Sequence, residues 1–186
     1  MRKKLLSTLV LASAMALSAT AQARGGGSGV LFDVNLSYTS TKVESKDTGG
    51  SATTSSDGST AIYDIKLGFL GGDGIYFGGI YTSRSESVLN QSGTSGSAMG
   101  ASLGYMGSAG FFLMGHYLMQ AKLGDYSEGS GIQVDLGYKA GVGSGWLLGG
   151  ELTYRSIAYK KHETNTNLEA LTITEVMPML SIGYMF

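Results

Sequence analysis

The sequence predicts an all-β fold, an eight-stranded antiparallel up-and-down transmembrane β-barrel, and three observations predict it. Apolar residues alternate with polar ones through eight segments, the period-two pattern of strands with one greasy face. Short and longer connections alternate along the chain. Beyond the first 23 residues no apolar run approaches the roughly 20 residues of a spanning helix, so a membrane protein of this sequence crosses as a barrel.

The chain begins Met1-Arg2-Lys3-Lys4, continues in an apolar run from Leu5 to Leu17, and reaches Ala21-Gln22-Ala23. That is the form of a secretory signal peptide with an A-x-A cleavage site. It divides the chain into a signal peptide, 1–23, and a barrel, 24–186. Taking Arg2, Lys3 and Lys4 from the 13 basic residues leaves ten against 14 acidic ones, a net charge of −4. Such a balance argues against nucleic acid as a partner, because that binding has a basic footprint. The sequence contains no cysteine, so neither disulfides nor thiol chemistry enter.

The strands are predicted over residues 30–43, 60–70, 75–88, 97–107, 111–123, 131–142, 146–160 and 171–186. Each suffices to cross a bilayer as a tilted strand of about 9 to 11 residues. Gly-rich tight turns are predicted at 71–74, 108–110 and 143–145, and longer loops at 44–59, 89–96, 124–130 and 161–170. This sorting puts both termini and the three turns at one end and the four loops at the other, as in barrels with short periplasmic turns and longer extracellular loops.

Parity separates the two faces. In the second segment Tyr63, Ile65, Leu67 and Phe69 alternate with Asp64, Lys66 and Gly68; in the sixth, Ile132, Val134, Leu136 and Tyr138 alternate with Gln133, Asp135 and Lys139. The polar parity collects a lumenal charge network: Asp33, Asp64, Lys66, Arg84, Glu86, Lys122, Asp135, Lys139, Glu151, Arg155 and Glu175, with His116 among them. Unpaired charges in a narrow core cost several kcal/mol each, so these are expected to pair. Segments three to five are less regular, since Ile80, Phe112, Met114 and Leu118 fall on the polar side.

Two lumenal states follow. A salt-bridged plug is the first reading, because eight strands enclose little more than side chains fill. A narrow porin-like channel for ions or small polar solutes is the second, because the inward glycines Gly68, Gly78, Gly100, Gly104, Gly137, Gly141 and Gly149 leave room for water. Parity alone does not say which face points out, so a soluble lipocalin-like barrel with the apolar face inward stays open.

Aromatic residues fall on the apolar face at two levels. Tyr38, Tyr63, Tyr81, Tyr117 and Tyr154 lie toward the loop end, and Phe32, Phe69, Phe77, Tyr105, Phe111, Trp146 and Tyr184 toward the turn end; such girdles mark bilayer interfaces. The chain closes on Leu180, Ile182, Tyr184 and Phe186 at alternate positions. With the export signal and the sorted connections, this ending resembles the small eight-stranded outer-membrane barrels of Gram-negative bacteria, the group that includes the transmembrane domain of outer membrane protein A. The resemblance implies cell outer membrane localisation with periplasmic termini, a setting of outer-membrane lipid and lipopolysaccharide, and a C-terminal signal of Leu180, Ile182, Tyr184 and Phe186 read by the barrel-assembly machinery. Pro178, inside the last strand, departs from the pattern and predicts a bulge or locally open pairing.

Catalysis has thin support. The histidine-serine pattern of the lipid A deacylases is absent, and His116 and His162 are the two histidines in the chain. No cofactor is expected, since the glycine clusters lack a following Lys-Ser/Thr and helix, nor a metal, since no EF-hand spacing occurs. The loops, rich in Ser, Thr, Gly and Asn, are the place for an unidentified surface ligand. The expected role is structural or surface-interactive.

Overall fold

The computed structural model describes residues 28–46, 53–88, 93–162 and 171–186, with the backbone alone for 41–46, 53–57 and 88. The signal segment lies outside the described residues. The strands are β1 (Gly29–Lys46), β2 (Thr53–Leu70), β3 (Ile75–Val88), β4 (Ser95–Met106), β5 (Phe111–Leu123), β6 (Tyr126–Gly143), β7 (Trp146–Tyr159), the two-residue β8 (Lys161–His162) and β9 (Leu171–Met185). Eight long strands pair antiparallel with their neighbours, and β1 pairs β9 to close the ring.

Closure settles which face is outside. Val30, Phe32, Leu36, Leu67, Leu103 and Leu136 are exposed on the outer surface, while Asp33, Asp64, Lys66, Asp135, Lys139 and Glu151 are buried within. The lipocalin-like alternative required the reverse and is overturned. The irregular parity of the middle segments has a physical reason: Ile80, Phe112, Met114 and Leu118 also point inward and are buried, giving the lumen apolar layers as well as charges.

Two of the three tight turns are built to one pattern. Gly71 N–H donates to Ile75 O and Gly74 N–H to Gly71 O; Gly107 N–H and Gly110 N–H repeat this with Phe111 O and Gly107 O. Gly74 and Gly110 both take φ of 95°, a left-handed conformation that glycine adopts without strain. Each turn also accepts a bond from the next hairpin: Met106 N–H to Gly74 O, Lys139 N–H to Gly110 O and Met185 N–H to Gly145 O, at 2.8 to 2.9 Å.

The loop end departs from expectation. The 124–130 loop is a two-residue turn, because β6 begins at Tyr126. The 44–59 loop is largely paired backbone, with Lys46 opposite Thr53; Ser, Thr and β-branched residues favour extended pairing as readily as loops. Residues 47–52, 89–92 and 163–170 lie outside the described residues.

Lys122 also moves. A bulge displaces register between Leu118 and Ala121, with Gln120 at φ 53°, and one extra residue exchanges the faces of all that follow. Ala121 and Leu123 become the buried positions and Lys122 is exposed, opposite Ser97. It is not a member of the inner charge set.

Pro178 sits where the ring stops closing. Phe186 N–H donates to Val30 O of β1, and Met185 N–H to Gly145 O beside β7. Alternation along an antiparallel strand therefore aims the amides of even-numbered β9 residues at β1 and those of odd-numbered ones at β7. The β1–β9 ladder runs from Leu31–Met185 to Leu36–Leu180; the next hydrogen-bonded pair would be Tyr38 with Pro178, whose nitrogen carries no hydrogen. On the β7 side the register passes Pro178 unbroken, opposite Leu152. There is no bulge; pairing is open on one side.

Candidate functional site

The lumen is layered. At the turn end Leu31, Leu70, Tyr76, Met106, Phe112, Met114 and Leu147 pack into one buried cluster, with Met185 against it. They come from β1, β2, β3, β4, β5, β7 and β9, so the layer crosses the barrel from wall to wall.

Above it lies the charged layer. Lys66 of β2 is 1% exposed; its Nζ pairs with Asp135 of β6 and donates to Glu151 Oε1 of β7 at 2.9 Å. Arg155 of β7 donates through Nη2 to both Asp64 oxygens, 2.8 and 2.9 Å, and through Nε to Gln133 Oε1 at 2.8 Å. Lys139 Nζ pairs with Asp33 of β1 and lies 4.7 Å from the Phe112 ring centre, a cation–π contact joining the two layers. β2 adjoins neither β6 nor β7 in the ring, so these pairs span the interior.

Neutral partners complete the set. Gln133 Nε2 donates to Asp64 and Asp135, Thr153 Oγ1 to Asp135 at 2.9 Å, and Ser181 Oγ to Asp33 at 2.9 Å. Buried charges persist where such bonds satisfy the remaining lone pairs. The sequence reading missed Gln133, Thr153 and Ser181 as members, although they share the inward parity of the charges.

Toward the loop end Arg84 binds Glu86, with Nε to Oε1 at 2.6 Å, and pairs with Glu175; all three side chains are half-buried. A cavity beside them is lined by Thr82, Arg84, Ser97, Ile157, Tyr159 and Glu175. Among the described residues, buried side-chain atoms without a hydrogen-bond partner are the Asn35 amide, the Tyr76 hydroxyl and the Thr82 hydroxyl.

Side chains stand over several of the inward glycines. A methyl group at Gly78 would meet the Tyr76 hydroxyl at 2.6 Å, one at Gly104 the Met114 Cγ at 2.7 Å, and one at Gly137 the Phe112 ring at 2.6 Å. Tyr76, Met114 and Phe112 thus occupy space beside these glycines.

Ser102, His116 and Asp135 form a hydrogen-bonded chain, Oγ to Nδ1 at 2.7 Å and Nε2 to Oδ2 at 2.8 Å. All three are buried, and the same Asp135 oxygens also serve Lys66, Gln133 and Thr153. The arrangement reads as packing of polar groups, with the serine on Nδ1 where a triad would use Nε2. Among the described residues no cluster of three or more His, Asp or Glu has the form of a metal site.

On the outer surface Tyr38, Tyr63, Tyr81, Tyr117 and Tyr154 are exposed toward the loop end, and Phe32, Phe69, Phe77, Tyr105, Phe111 and Trp146 toward the turn end. The latter level is linked by ring contacts: Phe69–Phe77 at 5.7 Å, Phe111–Tyr138 at 4.9 Å, Trp146–Tyr184 at 5.1 Å and Tyr184–Phe186 at 4.7 Å. Leu180, Ile182 and Phe186 are exposed on the same face.

No protein-family model and no curated protein matches the sequence. Among solved structures, the solid-state NMR structure of the outer membrane protein AlkL in DMPC bilayers is similar over 89% of this chain and 94% of that one, at 14% identity and a TM-score of 0.45. Two structures of OmpT from Vibrio cholerae, one folded in vitro in its trimer form and one expressed in the outer membrane, are similar at 15% and 16% identity, with TM-scores of 0.36 and 0.37. They are matched over 85% and 88% of this chain, which spans about half of their length, 52% and 53%. The closed antiparallel ring, the apolar exterior and the ion-paired interior make this chain a small eight-stranded membrane-spanning β-barrel.

Proposed function

We propose that this protein is an integral outer-membrane barrel with a closed lumen, whose role is structural or surface-interactive and is exercised through the hairpins at its loop end. The observation that carries the reading is the apolar layer across the turn end beneath cross-lumen ion pairs such as Lys66–Glu151. An ion crossing this interior would shed its hydration shell in the first layer and displace a charged partner in the second.

In this reading residues 1–23 direct export, and both termini and the short turns face the periplasm. The two aromatic levels meet the two bilayer interfaces. Lipid and lipopolysaccharide surround the outer face, and Leu180, Ile182, Tyr184 and Phe186 are the surface that the barrel-assembly machinery reads. An unidentified surface ligand would meet the loop-end hairpins, and no catalytic step or cofactor is assigned.

The second reading is a narrow channel for ions or small polar solutes. It is favoured by the unpartnered Asn35, Tyr76 and Thr82 groups, since buried polar atoms of this kind ordinarily bind water. Single-channel recording of the reconstituted protein in a planar bilayer at high salt separates the two. Silence from protein shown to be folded and inserted is the expected result; steady steps that change size in Arg155→Gln or Glu151→Gln would overturn closure and establish the channel.

A further inference from the structure

The loop-end mouth of the lumen holds one carboxylate more than its cations match. Arg84 of β3 stands between two acids, donating from Nε to Glu86 Oε1 at 2.6 Å and pairing through Nη1 with Glu175 of β9. Below them Arg155 is matched by Asp64. The Arg84 group therefore sums to one negative charge, and its side chains keep only 17 to 29% of their surface exposed, so bulk water screens that charge in part. Lys122 borders the same cavity but lies on the exposed face opposite Ser97, where water screens it fully.

Beside this surplus lie a cavity and an idle acceptor. The cavity measures about 20 Å³, above the roughly 10–15 Å³ that one water-sized group needs. Thr82 lines it, is 3% exposed, and has a hydroxyl without a hydrogen-bond partner. A buried hydroxyl left unmatched is costly, and its occurrence points to a missing partner. Ile157, Tyr159 and Ile173 give the cavity an apolar side.

These features select among ligands. A negative sum opposes an anion. Calcium and magnesium take about six or more oxygens, and among the described residues no group of three or more His, Asp or Glu could hold a metal ion. A protonated primary amine fits: its head is water-sized and carries three donors, of which Glu175 and Thr82 can accept two and water at the open side the third. A quaternary ammonium has no donor and is too bulky for the space.

We propose that the loop-end mouth of the barrel binds small protonated primary amines, with the ammonium group between Glu175 and Thr82 and the carbon stem against Ile157, Tyr159 and Ile173. The proposal deepens the surface-interactive reading and rests on the closed lumen, since the Arg155–Asp64 pair is the floor of the site.

The test uses the full barrel, purified from membranes into lipid nanodiscs with its Ile and Met methyl groups labelled for NMR. It is titrated with n-butylammonium chloride and, at matched ionic strength, with tetramethylammonium chloride. Expected are saturable shifts of Ile157 and Ile173 with butylammonium, none with tetramethylammonium, and no saturable response of the outward Ile132 and Ile182. Glu175→Gln keeps the shape, leaves Arg84 with Glu86 and removes the surplus charge; it should weaken binding about ten-fold. Thr82→Val removes an acceptor that has no partner in the free protein, so the barrel should fold as before and bind about five-fold more weakly. Absence of saturable shifts at Ile157 and Ile173, an equal response to tetramethylammonium, or undiminished affinity in either folded variant overturns the site. Shifts that reach Met106 and Met114 in the turn-end layer would instead reveal an open path, overturning closure together with a site confined to the mouth.

Discussion

Arg155 on β7 reaches across the lumen to Asp64 on β2 and holds both of its carboxylate oxygens, at 2.8 and 2.9 Å. The two residues are 91 apart in the chain and sit on strands that are not neighbours. Removing one member of a buried pair leaves the other charge uncompensated, at a cost of about 3–5 kcal/mol, whereas replacing both with apolar groups is often neutral. Arg155→Met should therefore lower stability by about 3–5 kcal/mol, and Arg155→Met with Asp64→Leu should recover much of the loss. Urea titration of the vesicle-inserted barrel, followed through Trp146 fluorescence, measures both; equal losses in the single and double variants would refute the coupling.

The apolar layer should behave as the electrical barrier. Tyr76→Ala with Phe112→Ala removes two rings from it, and Tyr76 also covers Gly68 and Gly78. The double variant is expected to show small conductance steps where the parent is silent. Continued silence from the inserted variant would assign the barrier to the charged layer alone.

Glycine positions divide by what lies over them. A methyl at Gly149 would stand 2.0 Å from Tyr138 O, whereas one at Gly79 meets nothing nearer than Gly100 O at 3.6 Å. Gly149→Ala should cost about 1–3 kcal/mol as overpacking, and Gly79→Ala less than about 1 kcal/mol. Comparable unfolding midpoints for the two would contradict the packing described.

The chain's last residue offers a test of assembly. Phe186 N–H bonds Val30 O and its ring meets Tyr184 at 4.7 Å. Deleting Phe186 should reduce the yield of folded barrel in cells, read as loss of the heat-modifiable band on gels. An unchanged yield would remove this residue from the proposed assembly signal.

Much of this fold was legible because strand parity is a local property. Asp64 and Lys66 could be assigned to one face, and Tyr63 and Leu67 to the other, without knowledge of any neighbour. Which face turned outward required closure, a property of the whole ring. Lys122 was misplaced because a single inserted residue near Gln120 exchanges faces, and nothing in Gln-Ala-Lys announces a bulge. The apolar layer was hidden for a related reason: Leu31, Leu70 and Leu147 share a level once register is known, and register is invisible along one strand. The residues 126–130 read as loop because Ser and Gly serve turns and strand ends alike.

The cross-lumen pairs also act as a key for register. Sliding one strand past its neighbour by two residues preserves every side chain's face, so alternation alone tolerates the error. Such a slip displaces a side chain by about 7 Å along the strand, far beyond the 2.9 Å that joins Lys66 to Glu151. A barrel closed out of step would trap Lys66, Asp64 and Asp33 with mismatched partners. The interior charges thus select one shear among those that the greasy exterior would accept equally well.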